Sequence, residues 1–287
     1  MNRLSKEERA TILGCLVEGN SIRATCRLTG AAKGTAIKLL ADIGAACADF
    51  HDKHVRNLSC RRIQCDEIWS FCYSKEANVP QDLKGQFGFG DVWTWTALDA
   101  DFKLIVSYGV DRRDPDAAQA FIHDLRGRLA HRVQLSTDGY KPYLSAVTNH
   151  FGDDVDYGML VKIYSAPTGA QRECCGAQKR RKIGLPARDK ISTSFVERQN
   201  LTMRMGMRRF TRLTNGFSKK VANLHHAVAL HFMHYNFCRT HQSLKVTPAM
   251  AARVTDHPWT LEDIASLLDQ GYANEAEKSA TENAFSN

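Results

Sequence analysis

Ile12, Leu13, Leu16 and Val17 recur at the spacing of one helix face, and Ser5-Lys6-Glu7-Glu8 ahead of them is a capping box. Gly19-Asn20 stops that helix. Ser21 caps a second, which carries Ile22, Ala24, Cys26 and Leu28, and Thr29-Gly30 then turns the chain. A third helix runs from about Ala32 through Ile37, Leu39, Leu40 and Ile43. Small Ala24 and a glycine turn permit the close helix approach of a helix-turn-helix. On that reading residues 1–45 form an all-α unit whose recognition helix exposes Lys33, Thr35 and Lys38 to DNA. A small helical cap without a DNA role fits the same pattern. Residues 46–61 read as a helical linker.

Beyond the linker the period drops to two. Ile63 to Phe71, Val92 to Asp99 and Leu104 to Val110 read as strands, the last two joined by a turn at Ala100-Asp101-Phe102-Lys103. Asp114-Pro115-Asp116 opens a helix with Ala118, Phe121, Ile122, Leu125 and Leu129 on one side. Val133 to Thr137 is a fourth strand, Lys141-Pro142 starts another helix, and Val161 to Tyr164 is a fifth strand. A three-strand meander followed by helix-strand-helix-strand describes an α/β sheet of the ribonuclease H type over residues 62–245, although other α/β arrangements share that order. Residues 165–193 look like a basic insertion in it. Residues 246–287 look like a C-terminal helical extension with a disordered acidic tail after about Tyr272.

Charge narrows the choice of partner. The 287 residues carry 39 Lys+Arg and 31 Asp+Glu, a net +8. From Lys162 to Lys220 there are 15 Lys+Arg against three acids, a local excess of twelve that leaves the rest of the chain four negative. Lys179-Arg180-Arg181-Lys182 reads as a basic loop, and Arg198, Arg204 and Arg208 follow on a helix. Clustered positive charge of this kind is the footprint of phosphate-backbone binding. No apolar run approaches the length of a membrane span, and Met1 to Glu8 lacks the apolar core of a signal peptide. Nine cysteines, none in a Cys-x-x-Cys pair, suit reduced thiols in a cytoplasmic protein. Gly85 to Gly90 lacks the Lys-Ser/Thr of a phosphate loop and reads as a turn.

The candidate chemistry lies in three acids. Asp66 falls inside the first strand, where an unpaired carboxylate is costly unless it holds a cation. Asp138 ends the fourth strand, at the edge where open α/β sheets collect catalytic groups. If those strands are neighbours, the two carboxylates meet, and their repulsion favours a shared proton or a divalent ion. Glu197 begins the Arg-rich helix. Three carboxylates would suit Mg²⁺ or Mn²⁺, and two such ions can drive an in-line phosphodiester displacement. Each acid also has an ordinary reading as a cap or a surface ion pair.

Cys65-Asp66-Glu67-Ile68-Trp69, Thr137-Asp138-Gly139-Tyr140 and Phe195-Val196-Glu197-Arg198-Gln199-Asn200-Leu201-x-x-Arg204 resemble, in order, the three catalytic blocks of DDE transposases. They are similar in particular to those of the insertion sequence 1 family of bacterial mobile elements, as is the continuation Phe217-Ser218-Lys219-Lys220 and Tyr235-Asn236. The resemblance implies a ribonuclease H-like catalytic domain, with Asp66, Asp138 and Glu197 as a triad for two Mg²⁺ or Mn²⁺ ions. It makes Asn200 and Arg204 helix residues that meet DNA near the site. It further implies a bacterial, nucleoid-associated enzyme that acts at least as a dimer on double-stranded DNA, cutting element ends and joining the 3′-hydroxyl to target DNA. An N-terminal cysteine zinc ribbon, frequent in that group, has no counterpart here. Two other functions compete: a DNA-binding regulator on an idle scaffold, and a nuclease that cuts without joining.

Overall fold

The computed structural model describes residues 4–164, 174–211 and 214–269. They divide into two compact units, one of helices and one built on a sheet.

The helical unit draws on Met1–His54, Met203–Met250 and Thr255–Asn287. Helix α1 (Lys6–Val17) begins at the expected capping box: Ser5 Oγ accepts from the Glu8 amide, and the Glu8 carboxylate accepts from the Ser5 amide. Helix α2 (Ile22–Thr29) is capped by Ser21 and ends on Gly30 at φ 73°, a left-handed position that glycine adopts without strain. The third helix differs from its expected length. Helix α3 (Lys33–His54) continues unbroken for 22 residues, through much of the stretch read as a linker, because Gly44 to Cys47 holds no proline or capping residue to stop it. It packs along α7 (Val221–Met233) at a close crossing, where a Cβ on Gly44 would lie 2.4 Å from His226 Cβ. A π-helical turn at His234–Cys238 follows α7. It brings Phe237 against Phe50 and Trp259, ring centroids 5.6 and 5.1 Å away. The last described helix, α9 (261–269), ties back to α1: Arg9 donates to the Ala265 carbonyl and pairs with Asp269.

The sheet unit spans Val55–Thr202 with Ala251–Val254. Its six strands are β1 (Arg62–Cys72), β2 (Gly90–Asp99), β3 (Ile105–Asp111), β4 (Val133–Thr137), β5 (Val155–Tyr164) and β6 (Cys174–Ile183), in the order β3-β2-β1-β4-β5-β6. Strands β1, β2 and β3 form the antiparallel meander; β4 and β5 add in parallel beside β1, and β6 closes antiparallel on β5. This mixed sheet is compatible with the ribonuclease H type. Helices α4 (Pro115–Arg128) and α5 (Pro142–Phe151) supply the crossovers. Phe121, Ile122 and Leu125 of α4 are buried as its apolar stripe predicts, each contributing roughly 1.5–3 kcal/mol. Trp95 of β2 packs beneath them, tilted against Phe121 and edge-on to Tyr143, so the Trp93/Trp95 alternation is partly sheet packing.

Two expectations change in this unit. Strand β5 starts six residues earlier than its predicted start, at Val155. Lys179, Arg180, Arg181 and Lys182 lie in β6, an edge strand, and not in a loop. Strand β6 is exposed along nearly its whole length, so it lacks the alternation that a half-buried strand would show. The residues between β5 and β6, 165–173, and those from 270 to 287, which include the acidic tail, lie outside the described residues. Helix α6 (Ser194–Gly206) follows a 3₁₀ turn at Arg188–Lys190, and α8 (Pro248–Ala251) is a single turn.

Candidate metal centre

Parallel pairing of β1 with β4 aligns Gln64 with Ser136, which carries Asp66 level with Asp138 just beyond the strand end. The two carboxylates are brought together as the strand order requires. Glu67 joins them: one oxygen each from Asp66, Glu67 and Asp138 lie within 4.8 Å of one another. Burial, then the neighbouring Asp138 charge, raises the Asp66 carboxyl to about 6. The same two causes raise Glu67 to about 7, offset in part by the Arg113 guanidinium. Both shifts mark carboxyls that are buried first and crowded by like charge second.

Helix α6 is fixed over this edge by Gln64. Its side-chain Oε1 accepts the backbone amides of Phe195 and Val196 at 2.8 and 3.2 Å, satisfying first-turn donors that the helix itself leaves open. Just upstream, Ile191 packs on β5 at Gly158, where a Cβ would lie 2.5 Å from the isoleucine side chain. From the first turn Glu197 accepts from Thr193 Oγ1 at 2.6 Å and pairs with Lys162 Nζ of β5 at 2.8 Å. Glu197 therefore lies outside the three-carboxylate cluster, though its charge is felt by Asp66. One turn on, Asn200 is buried and donates from Nδ2 to Asp66 Oδ2 at 2.8 Å.

The remaining sequence candidates scatter. Arg198 is exposed on α6. Arg204 and Arg208 belong to the helical unit, as do Lys33, Thr35 and Lys38 at the start of α3. Lys38 pairs with Asp42 one turn along. On β6, Lys179 donates to the Asp189 carbonyl, Arg180 to Gln178, and Arg181 to the Pro186 carbonyl, while Lys182 is exposed. Sequence reasoning missed Glu67, Gln64, Lys162 and Arg113. Glu67 sits inside a quoted block, but strand alternation assigns it the face opposite Asp66. For Arg113 no local signal exists.

The donor set fits a hard divalent cation. It is all oxygen, its carboxylates repel one another, and Glu67 Oε1 is buried without a hydrogen-bond partner. No disulfide joins any of the nine cysteines, and His231, discounted as a ligand in sequence, is buried in the helical unit.

Fold and site together define a mixed α/β protein with an acidic cluster suited to a divalent metal. No protein-family model matches the chain, and no curated protein matches it in sequence. Among solved structures it is similar to the Mos1 strand transfer complex, at 12% identity and a TM-score of 0.25, over 55% of this chain and 59% of that one. The match thus spans about three-fifths of that chain. Among the described residues no helix is long and apolar enough to cross a membrane.

Proposed function

We propose that this protein is a DDE-type transposase, which cuts DNA strands at the ends of a mobile element and joins the freed 3′-hydroxyl to target DNA. The observation that carries the reading is the meeting of Asp66 and Glu67, within β1, with Asp138 at the end of the adjacent parallel strand β4, beside a helix that presents Glu197. The resemblance of the three sequence blocks supports it.

Asp66 and Asp138 would hold Mg²⁺ or Mn²⁺, two ions in the full scheme, with Glu197 completing the set once released from Lys162. The bound metal supplies an activated nucleophile and neutralises charge on the leaving oxygen. Asn200 keeps Asp66 in one orientation. Gln64 holds the first turn of α6, and with it Glu197, over the strand ends. The exposed cations of β6 and Arg198, with Arg204 and Arg208, position backbone phosphates, which sets register without reading sequence. Helices α2 and α3 read the element ends through Lys33, Thr35 and Lys38. Two ends are cut together, so the acting form is at least a dimer.

The test is incubation with Mg²⁺ and duplexes bearing the inverted repeats that flank the gene. Nicked and joined products are expected from the wild type, with both lost in Asp66→Asn while DNA binding persists. Cutting in excess chelator would overturn the metal scheme. Nicks without joined products would leave a nuclease.

A further inference from the structure

Arg113, in the turn between β3 and α4, stands beside the acidic cluster in an unusual setting. Its Nε donates to Glu67 Oε2 at a long 3.4 Å, and its Nη2 lies 3.7 Å from Asp138 Oδ2. Neither contact is the short, two-pronged pairing that guanidinium and carboxylate prefer. The group is held instead by aromatic faces, 4.0 Å from the Tyr140 ring centroid and 5.0 Å from that of Trp93. The ring faces hold the guanidinium by cation–π attraction, with its Nη2 toward Asp138 at a distance too long to occupy it fully. Arg113 lines an open cleft of about 480 Å³ with Asp138, Gly139, Tyr140, Lys141 and Pro142. Lys141 is exposed there, at the start of α5, and adds a second positive charge to the cleft.

A cleft with two cations and an aromatic face, opening against a metal-suited cluster, has the chemistry of a phosphate site. We propose that Arg113 clamps a backbone phosphodiester of the DNA strand in this cleft, next to the phosphate that reacts at Asp66 and Asp138. The proposal rests on the function inferred above and adds a substrate contact to it. Tyr140 and Trp93 act as positioning residues by holding the guanidinium plane. A divalent cation sharing the charge of the adjacent carboxylates would weaken their pull on Arg113, so phosphate and metal are expected to bind together.

The test is DNA binding by the full chain in Ca²⁺, followed by fluorescence anisotropy across a salt series. Loss of one phosphate contact in Arg113→Gln should reduce the slope of log K against log salt by about 1 and weaken binding about eightfold at 0.1 M salt. Arg113→Lys should restore the slope, and Lys141→Gln should lower it, which serves if Arg113→Gln fails to fold. A single uncharged methylphosphonate, moved stepwise along the strand, should weaken wild-type binding at one position and leave Arg113→Gln indifferent there. That arm separates a DNA phosphodiester from free phosphate. A wild-type slope in Arg113→Gln and Lys141→Gln would overturn the proposal and leave Arg113 as a counter-ion to Glu67 and Asp138. Absence of cutting by the wild type would instead remove the transposase reading, whatever the slopes.

Discussion

Asn200 and Asp66 are joined by one hydrogen bond of 2.8 Å, from the amide of a helix to the carboxylate of the central strand. A residue expected to face DNA is thereby turned inward, onto the group that would bind metal. Replacing Asn200 with Ala should weaken Mn²⁺ binding roughly 10–100-fold, as losses of orienting partners do. Titration calorimetry measures it. Asn200→Asp should do worse, since it sets a second negative charge against Asp66. Wild-type metal affinity in Asn200→Ala would remove the orienting role.

Gln64 should matter for stability. Its side chain accepts two backbone amides of α6, and Gln64→Leu leaves both unpaired in a buried setting. The expected loss is about 1–3 kcal/mol in a denaturant melt, with Gln64→Glu milder because it still accepts. An unchanged midpoint in Gln64→Leu would show that α6 is held by other contacts.

Metal binding should depend steeply on pH. The carboxyls of Asp66 and Glu67 are raised to about 6 and about 7, above their ordinary values of 3.8 and 4.5. The metal-free fold therefore binds more protons than the unfolded chain between those limits, and its stability falls as pH rises through them. A cation must displace those protons, so Mn²⁺ affinity should drop as pH falls from 7.5 to 5.5, with proton release seen as buffer-dependent heats. Affinity flat over that range would count against the cluster as the binding site.

His231 should set an acid limit on the helical unit. Burial, then the charges of His234 and Arg239, lowers it from 6.5 to about 3, and neither ring nitrogen has a hydrogen-bond partner. The imidazole stays neutral in the fold and is protonated on unfolding. Stability from this group is intact above pH 6.5 and declines toward pH 3 by about 1.4 kcal/mol per pH unit. His231→Leu should flatten that decline in urea melts; an unchanged slope would assign acid sensitivity elsewhere.

Much of this was legible where local chemistry decides. Ser5, Ser21 and Asp114 are caps because their side chains satisfy first-turn amides, and the structure uses each one so. Strands β1 to β4 read as strands because their largely covered faces demand runs of apolar and β-branched residues. Strand β6 was illegible for the opposite reason: with both faces exposed, nothing imposes a pattern, and Gln178 to Lys182 reads as a polar loop. The length of α3 was hidden because alanine-rich sequence gives no stop. At the site, Asp66 and Asp138 follow from strand position alone. Arg113 does not, since its placement depends on ring faces contributed by β2 and by the turn after β4, and Glu67 does not, since strand alternation sets it on the face opposite Asp66.

Strand β6 has a further consequence. It ends the sheet, and an outermost strand offers a row of open backbone groups to which another strand can add. Consecutive Lys179, Arg180, Arg181 and Lys182 put repulsion along that row, so two copies meeting edge to edge would oppose charge with like charge. The same cations that suit phosphate thus guard the protein against polymerising with itself. Neutral residues at these four positions would remove that repulsion and open the edge to pairing, which gives the basic strand a role apart from any nucleic acid.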